Sequence, residues 1–262
     1  MAHFELATAR VWLTGASSGI GAALARALIE RGASVALFAR REDKLRALAD
    51  ELGERALVQV GDVTDRARVQ AAVAEAEQAF GGLDLVILNA GIGDSISLED
   101  FDVELIERIH RVNFLGAVYG IEACLPGMRR SRSGTIVGIS SPAAFRGLPT
   151  SAAYCASKAA LATFLESLRH EAPDHGLSVL TVSPGFVESE LTARNDHPMP
   201  GLMPADKAAR IILSGIAKGR RHIHFPRRVI WPMLLLRMLP VPAYDFFVRK
   251  IILPRAKPKK RA

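Results

Sequence analysis

Short runs of apolar residues alternate along the chain with longer stretches in which apolar positions recur every three or four residues. The first pattern suits strands buried on both faces, the second amphipathic helices. Strands are expected at residues 11–13, 34–39, 56–60, 83–88, 135–139, 178–182 and 222–225. Helical periodicity covers 19–31, 42–52, 67–80, 101–125, 153–170 and 205–217. Strands that alternate with helices imply right-handed crossovers onto a parallel sheet, a doubly wound α/β fold. Residues 188–204, with Asn195, Pro198, Pro200 and Gly201, read as a long mobile loop.

The pattern changes after Phe225. Tyr244, Phe247, Val248, Ile251 and Ile252 form a helical apolar stripe, and the chain ends in a basic run from Arg255 to Arg261. A division follows: one α/β domain over 1–226 and a helical, basic extension over 227–262. Residues 220–262 hold twelve of the 34 Lys and Arg but one of the 27 Asp and Glu, Asp245. The first 219 residues are therefore mildly acidic, and a nucleic-acid footprint over the domain is not expected. Basic residues beside apolar faces suit contact with a membrane surface; the alternative is packing over the substrate cleft or a second subunit. Either way a lipophilic substrate is expected.

At 262 residues and 49% hydrophobic, the chain can bury a core, and two cysteines cannot make a disulfide scaffold. Residues 1–30 show no signal-peptide pattern, and no apolar run approaches about 18 residues. The expected setting is reducing and cytoplasmic, with peripheral contact to the inner face of a membrane as the variant. His222 and His224 share a strand face without a third ligand, so no metal is expected. Cys155 reads as a packing residue and Asp84 as a surface turn residue.

The chemistry gathers around a few motifs. Thr14-Gly15-Ala16-Ser17-Ser18-Gly19-Ile20-Gly21 follows a strand and opens a helix, where glycines let backbone approach a pyrophosphate and free N–H groups meet it. Tyr154 and Lys158 lie four apart on an expected helix and share a face. A nearby ammonium favours a phenolate, so Tyr154 is expected to have its pKa lowered and to exchange a proton with an alcohol or carbonyl oxygen. Ser141 can hydrogen-bond that oxygen. The second strand ends Ala39-Arg40-Arg41, with no acid where a ribose 2′-hydroxyl would be held. Arginine suits a phosphate, which favours NADP(H) over NAD(H), with Arg40 as the contact and Ser17 a helper.

Together these motifs resemble the short-chain dehydrogenase/reductase family over about residues 8–226. TGASSGIG resembles its cofactor loop, and Asn89-Ala90-Gly91 its NNAG element with Leu88 replacing the first Asn. Tyr154 to Lys158 matches YxxxK, Ser141 stands 13 residues earlier, and Asn113 matches the active-site Asn. Pro184-Gly185-Phe186-Val187 matches the PG element. The resemblance implies a catalytic set of Asn113, Ser141, Tyr154 and Lys158, with Asn113 positioning a water behind Lys158 and Lys158 holding the nicotinamide ribose. It implies cofactor contacts from Gly15, Ser17, Ser18, Gly19, Ile20 and Gly21. It also implies them from Asp62 and Val63, Asn89, Ala90 and Gly91, Pro184, Gly185 and Val187, and Ser189. Pro142 directly after Ser141 departs from the pattern. The implied activity is hydride transfer between NADP(H) and a carbonyl/alcohol pair, in a homodimer or homotetramer. The competing function is a nucleotide-binding sensor or membrane-surface scaffold with little turnover.

Overall fold

The computed structural model describes residues 4–195 and 199–252. Seven parallel strands form one sheet: β1 Arg10–Thr14, β2 Ser34–Ala39, β3 Ala56–Val60, β4 Leu85–Leu88, β5 Gly134–Ile139, β6 Leu177–Pro184 and β7 His222–Phe225. Their order is β3-β2-β1-β4-β5-β6-β7, so the winding reverses between β1 and β4. Ligands of such sheets bind beyond the carboxyl ends of the strands at that reversal.

Period-two alternation in the strands supplies two cores. Val11, Leu13, Leu37, Ile87 and Val182 face α1 Gly19–Ile29, α2 Glu42–Leu52 and α7 Ala205–Ala217. Trp12, Phe38, Val86 and Ile136 face α3 Arg66–Phe80, α5 Gly116–Ser131 and α6 Ala152–Glu171. Trp12 is fully buried, and its indole donates to Gln59 Oε1 at 3.1 Å, satisfying the one polar atom it takes inside. Asp84, just before β4, does more than turn the chain. It accepts from the backbone N–H and the guanidinium of Arg10. Burial raises its carboxyl pKa, but those bonds outweigh burial and hold it below the ordinary value.

One expected element is divided. The span 101–125 is not a single helix: α4 Val103–His110 leads into a π-helical turn, Arg111–Leu115, before α5 begins at Gly116. A π turn inserts a residue and rotates the register, here turning Asn113 inward, where it is 1% exposed. Gly116 permits the approach, since a Cβ there would meet Val63 at 2.8 Å. The ends of the 188–204 loop are fastened, with Glu188 N–H donating to Met203 O and Met203 N–H to Phe186 O.

Beyond β7, α8 Arg227–Met238 and α9 Val241–Phe247 lie against the domain, followed by a second π turn, Val248–Ile252. The basic run 255–261 lies outside the described residues. Among the described residues, no helix is long and apolar enough to cross a membrane.

Candidate active site

The glycine turn lies beyond β1 at the winding reversal. Gly15 adopts φ 65°, and its N–H donates to Phe38 O at 2.8 Å. A Cβ on Gly21 would run into the Gly15 carbonyl. Asn89 spends its side chain on this turn, donating to Thr14 O at 3.0 Å and Gly15 O at 3.2 Å. Thr14 Oγ1 in turn accepts from the N–H groups of Asn89 and Ala90. The turn is thereby stapled to the end of β4. Ser18, the N-cap of α1, makes no side-chain bond to the helix, so capping does not compete for its first N–H groups. A stapled turn, a helix N-terminus left to a ligand and cations alongside fit a dinucleotide pyrophosphate.

The cations are arranged differently from the sequence expectation. Arg41, not Arg40, reaches the turn: Nη2 donates to Ser17 Oγ at 2.9 Å and to Ser18 Oγ at 2.8 Å. Its Nη1 pairs with Glu190 at 2.5 Å, and Lys44 pairs with the other Glu190 oxygen at 2.6 Å. Arg40 is largely exposed and stands 3.6 Å from Asp62. Asp62 Oδ1 accepts from the N–H and hydroxyl of Thr64, and Val63 packs under Gly116. The two arginines diverge because Arg41 is still extended, at φ −90° and ψ 97°, and successive extended residues face opposite sides.

Tyr154, Ser157 and Lys158 share the inward side of α6. Lys158 Nζ donates to Ile139 O at 2.8 Å and lies 5.9 Å from the centre of the Tyr154 ring. Burial pushes the Lys158 amine down to about 8. Burial also pushes the Tyr154 phenol above its ordinary value, with a hydrogen bond to Ser141 opposing it. The expected lowering by Lys158 is not what the site shows. Desolvation is the largest influence on both groups. Ser141 Oγ caps the short turn Pro142–Ala144 by accepting from Ala143 N–H at 3.2 Å. Ser140 faces away and donates to Lys158 O.

Asn113 is held by Ile92, accepting from its N–H and donating to its carbonyl, each at 2.8 Å, and it also donates to Ser157 Oγ at 3.0 Å. Gly91 fits between: a Cβ there would stand 3.2 Å from Lys158 Nζ and 3.4 Å from Asn113 Oδ1. A Cβ on Gly93 would meet the Tyr154 ring at 3.0 Å. The far wall is the turn after β6. Gly185 N–H donates to Phe225 O at 2.7 Å, behind Pro184. Ser189 exchanges bonds with Thr192, whose hydroxyl donates to Val187 O at 2.8 Å. Ser189 also lies on the glycine turn, 2.9 Å from where a Gly19 Cβ would be; Ile20 follows at the start of α1.

The structure brings Asn113, Ser141, Tyr154 and Lys158 near one another and places Arg41, Lys44, Glu190, Thr192 and Gly93 beside them, none of which the sequence singles out. Arg41 carried a signal, as half of an Arg-Arg pair; Glu190 and Thr192 carried none. Cys155 and Cys124 are buried thiols, the first raised and the second pushed up to about 12 by burial. Among the described residues, no three His, Cys, Asp or Glu side chains gather as metal ligands.

Comparison with known proteins agrees with this fold. A model described as short chain dehydrogenase matches residues 9–199. An uncharacterized oxidoreductase of Myxococcus xanthus is 42% identical over 96% of this chain and 100% of its own. A protein of Arabidopsis thaliana named 11-beta-hydroxysteroid dehydrogenase-like 2 is 34% identical over 98% of this chain and 86% of its own. Among solved structures, a short chain dehydrogenase/reductase from Burkholderia phymatum in complex with NAD superposes with a TM-score of 0.83. It covers 98% of this chain and all of that one at 24% identity, which speaks for the fold. A short-chain type dehydrogenase/reductase from Mycobacterium marinum gives 0.77 at 29% identity, over 84% of this chain and 93% of that one.

Proposed function

This chain belongs to the short-chain dehydrogenase family and is an NAD(P)-dependent oxidoreductase, and from that premise we propose that it reduces a lipophilic carbonyl compound with NADPH. The observation that carries the reading is the meeting of Tyr154, Ser141 and Lys158 beside a stapled glycine turn whose nearest cation is Arg41.

When bound, the dinucleotide supplies the hydride. This chain's residues do the rest. Tyr154 stays a neutral phenol at neutral pH because burial raises it, so its hydroxyl has a proton to give to a carbonyl oxygen. The Ser141 hydroxyl donates to the same oxygen and stabilises the charge that develops there. Lys158 would hold the ribose hydroxyls and return a proton toward Tyr154, while Asn113 holds the segment Gly91–Gly93 behind it through Ile92.

The preference for NADPH rests on Arg41, Lys44, Ser17 and Ser18 standing together at the turn, with Arg40 on its outer side. Guanidinium and hydroxyl groups together match a phosphate rather than a bare hydroxyl. The preference for lipophilic substrates rests on α8 and α9. Tyr244 donates to Gly147 O at 2.5 Å in the segment after Ser141, and a Cβ on Gly201 would meet Val229 at 3.1 Å. Apolar helices thus border both loops around Tyr154. The hydroxysteroid name of the Arabidopsis relative agrees with that chemistry. Assembly as a homodimer or homotetramer belongs to the same reading, and light scattering of the purified protein tests it.

The test of function is loss of NADPH absorbance with a panel of aldehydes, ketones, steroids and long-chain 3-oxo compounds, with NADH in parallel. Turnover with NADPH above NADH on apolar carbonyls is expected. Tight NADPH binding without turnover on any compound would turn the reading to a nucleotide sensor.

A further inference from the structure

We propose that the outward face of α8 and α9 docks on the surface of an anionic lipid membrane. The argument begins with where apolar side chains are left in water. Six of the ten exposed large apolar side chains among the described residues lie between Trp231 and Ile251. In α8, Trp231 is 62% exposed, Leu235 64% and Met238 80%. Their spacing of four and three residues puts them on one side of the helix. On α9, Val241 and Phe246 are also exposed, at 64% and 66%.

The opposite sides of these helices are seated on the protein. Ile230 and Tyr244 are buried. Arg146 donates to the carbonyls of Arg237 and Leu239, each at 3.0 Å, and its guanidinium lies 4.2 Å from the centre of the Tyr244 ring. The outward stripe is therefore not the core face of a loosely attached segment. The core face is already used, and a second apolar face remains.

Charge decides between the occupants of that face. Arg227 and Arg228 sit on the exposed side at the N-terminal end of α8, and Arg237, Arg249 and Lys250 are also exposed. Asp245 is the only acid from residue 227 to the end. A symmetric dimer through this face would press like patches together, the exposed Arg227 and Arg228 beside the stripe of each copy being met by the same basic surface of the other. An anionic bilayer offers the cations phosphate and the stripe acyl chain in one surface. Tryptophan, with an apolar body and a polar N–H, suits that boundary. Each cation near such a surface strengthens partition about fivefold. The face therefore fits lipid, with the catalytic domain held against it through the segment after Ser141.

The chain contains its own reporter. It has two tryptophans, and Trp12 is fully buried and bonded to Gln59, so a change in emission on contact with vesicles belongs to Trp231. Full-length protein is mixed with vesicles of phosphatidylcholine alone or equimolar with phosphatidylglycerol, then sedimented, with emission recorded. Sedimentation with the anionic vesicles only, a blue shift, and release by high salt are expected. The double variant Trp231→Ser/Leu235→Ser should lose at least about tenfold in partition, and so should Arg227→Glu/Arg228→Glu. Both should bind NADPH unchanged, which shows that they are folded. Protein that stays in the supernatant with unshifted emission would overturn the proposal. So would Trp231 emission already blue without vesicles in a species whose mass, by light scattering, halves on Leu235→Ser. That result would make the face an interface between copies. None of these readings needs turnover, so they stand or fall apart from the catalytic proposal.

Discussion

Glu190 holds the two cations best placed for a phosphate, and replacing it should change cofactor affinity selectively. Its carboxylate pairs with Arg41 at 2.5 Å and Lys44 at 2.6 Å, across 149 and 146 residues of sequence. The hydrogen bonds from Lys44 and Arg41 hold its pKa below the ordinary value, so it is charged at neutral pH. A 2′-phosphate arriving at Arg41 must displace this carboxylate or share the cations with it. Both pairs are exposed, with side-chain accessibilities of 36%, 43% and 48% for Arg41, Lys44 and Glu190. Each is therefore worth only about 0.2–1 kcal/mol, and the two together about 1 kcal/mol. Glu190→Gln keeps the shape and removes the charge. NADPH should bind roughly three- to tenfold more tightly, since 1.4 kcal/mol is a factor of ten. NADH, without the phosphate, should change less than about twofold. Cofactor fluorescence titration reads both constants. Repeating it at high salt should shrink the difference, because exposed charges are screened. Equal gains for NADH and NADPH, or weaker NADPH binding, would refute the reasoning: the cations would not be the phosphate site, or Glu190 would close over the bound cofactor.

Three other outcomes follow from the site. Tyr154→Phe should lower turnover by about a hundred- to ten-thousandfold and leave the NADPH dissociation constant within about twofold; unchanged turnover would remove Tyr154 from the chemistry. Lys158→Met should abolish turnover and raise the melting temperature of the cofactor-free protein, because it removes an amine that burial has pushed from 10.5 to about 8. A lysine depressed in the folded state costs stability fully below pH 8 and less as pH climbs toward 10.5. The gain, at most about 3 kcal/mol, should thus be largest near pH 7 and fade in alkali; a gain that grows with pH would contradict the sign. Gly21→Ala should cost about 1–3 kcal/mol or more and weaken NADPH binding, since its methyl would meet the Gly15 carbonyl; thermal unfolding and the same titration check it.

The features legible in the sequence are those whose chemistry fixes residue type and spacing together. A backbone that must pass close to a pyrophosphate needs Gly15, Gly19 and Gly21, and a phenol and an amine on one helix face need positions 154 and 158. Strands buried on both faces, such as β4, announce themselves as unbroken apolar runs. The features that escaped depend on contacts between distant segments. The π turn that brings Asn113 inward answers to Val63 packing against Gly116, and periodicity within 101–125 carries no trace of that contact. The upward push on the Tyr154 phenol escapes for the same reason. The Lys158 neighbour is a local fact, readable at four residues, while the burial that overrides it is assembled from distant parts of the chain, Gly93 among them. The exchange of Arg40 for Arg41 turns on a single residue remaining extended before α2. Glu190 lies at the limit of this argument. Its partners are 146 and 149 residues away, its own loop carries no motif, and its two ion pairs are individually weak. A contact of that kind constrains neither local pattern nor core volume, so only the folded chain displays it, and only cofactor affinity can report it.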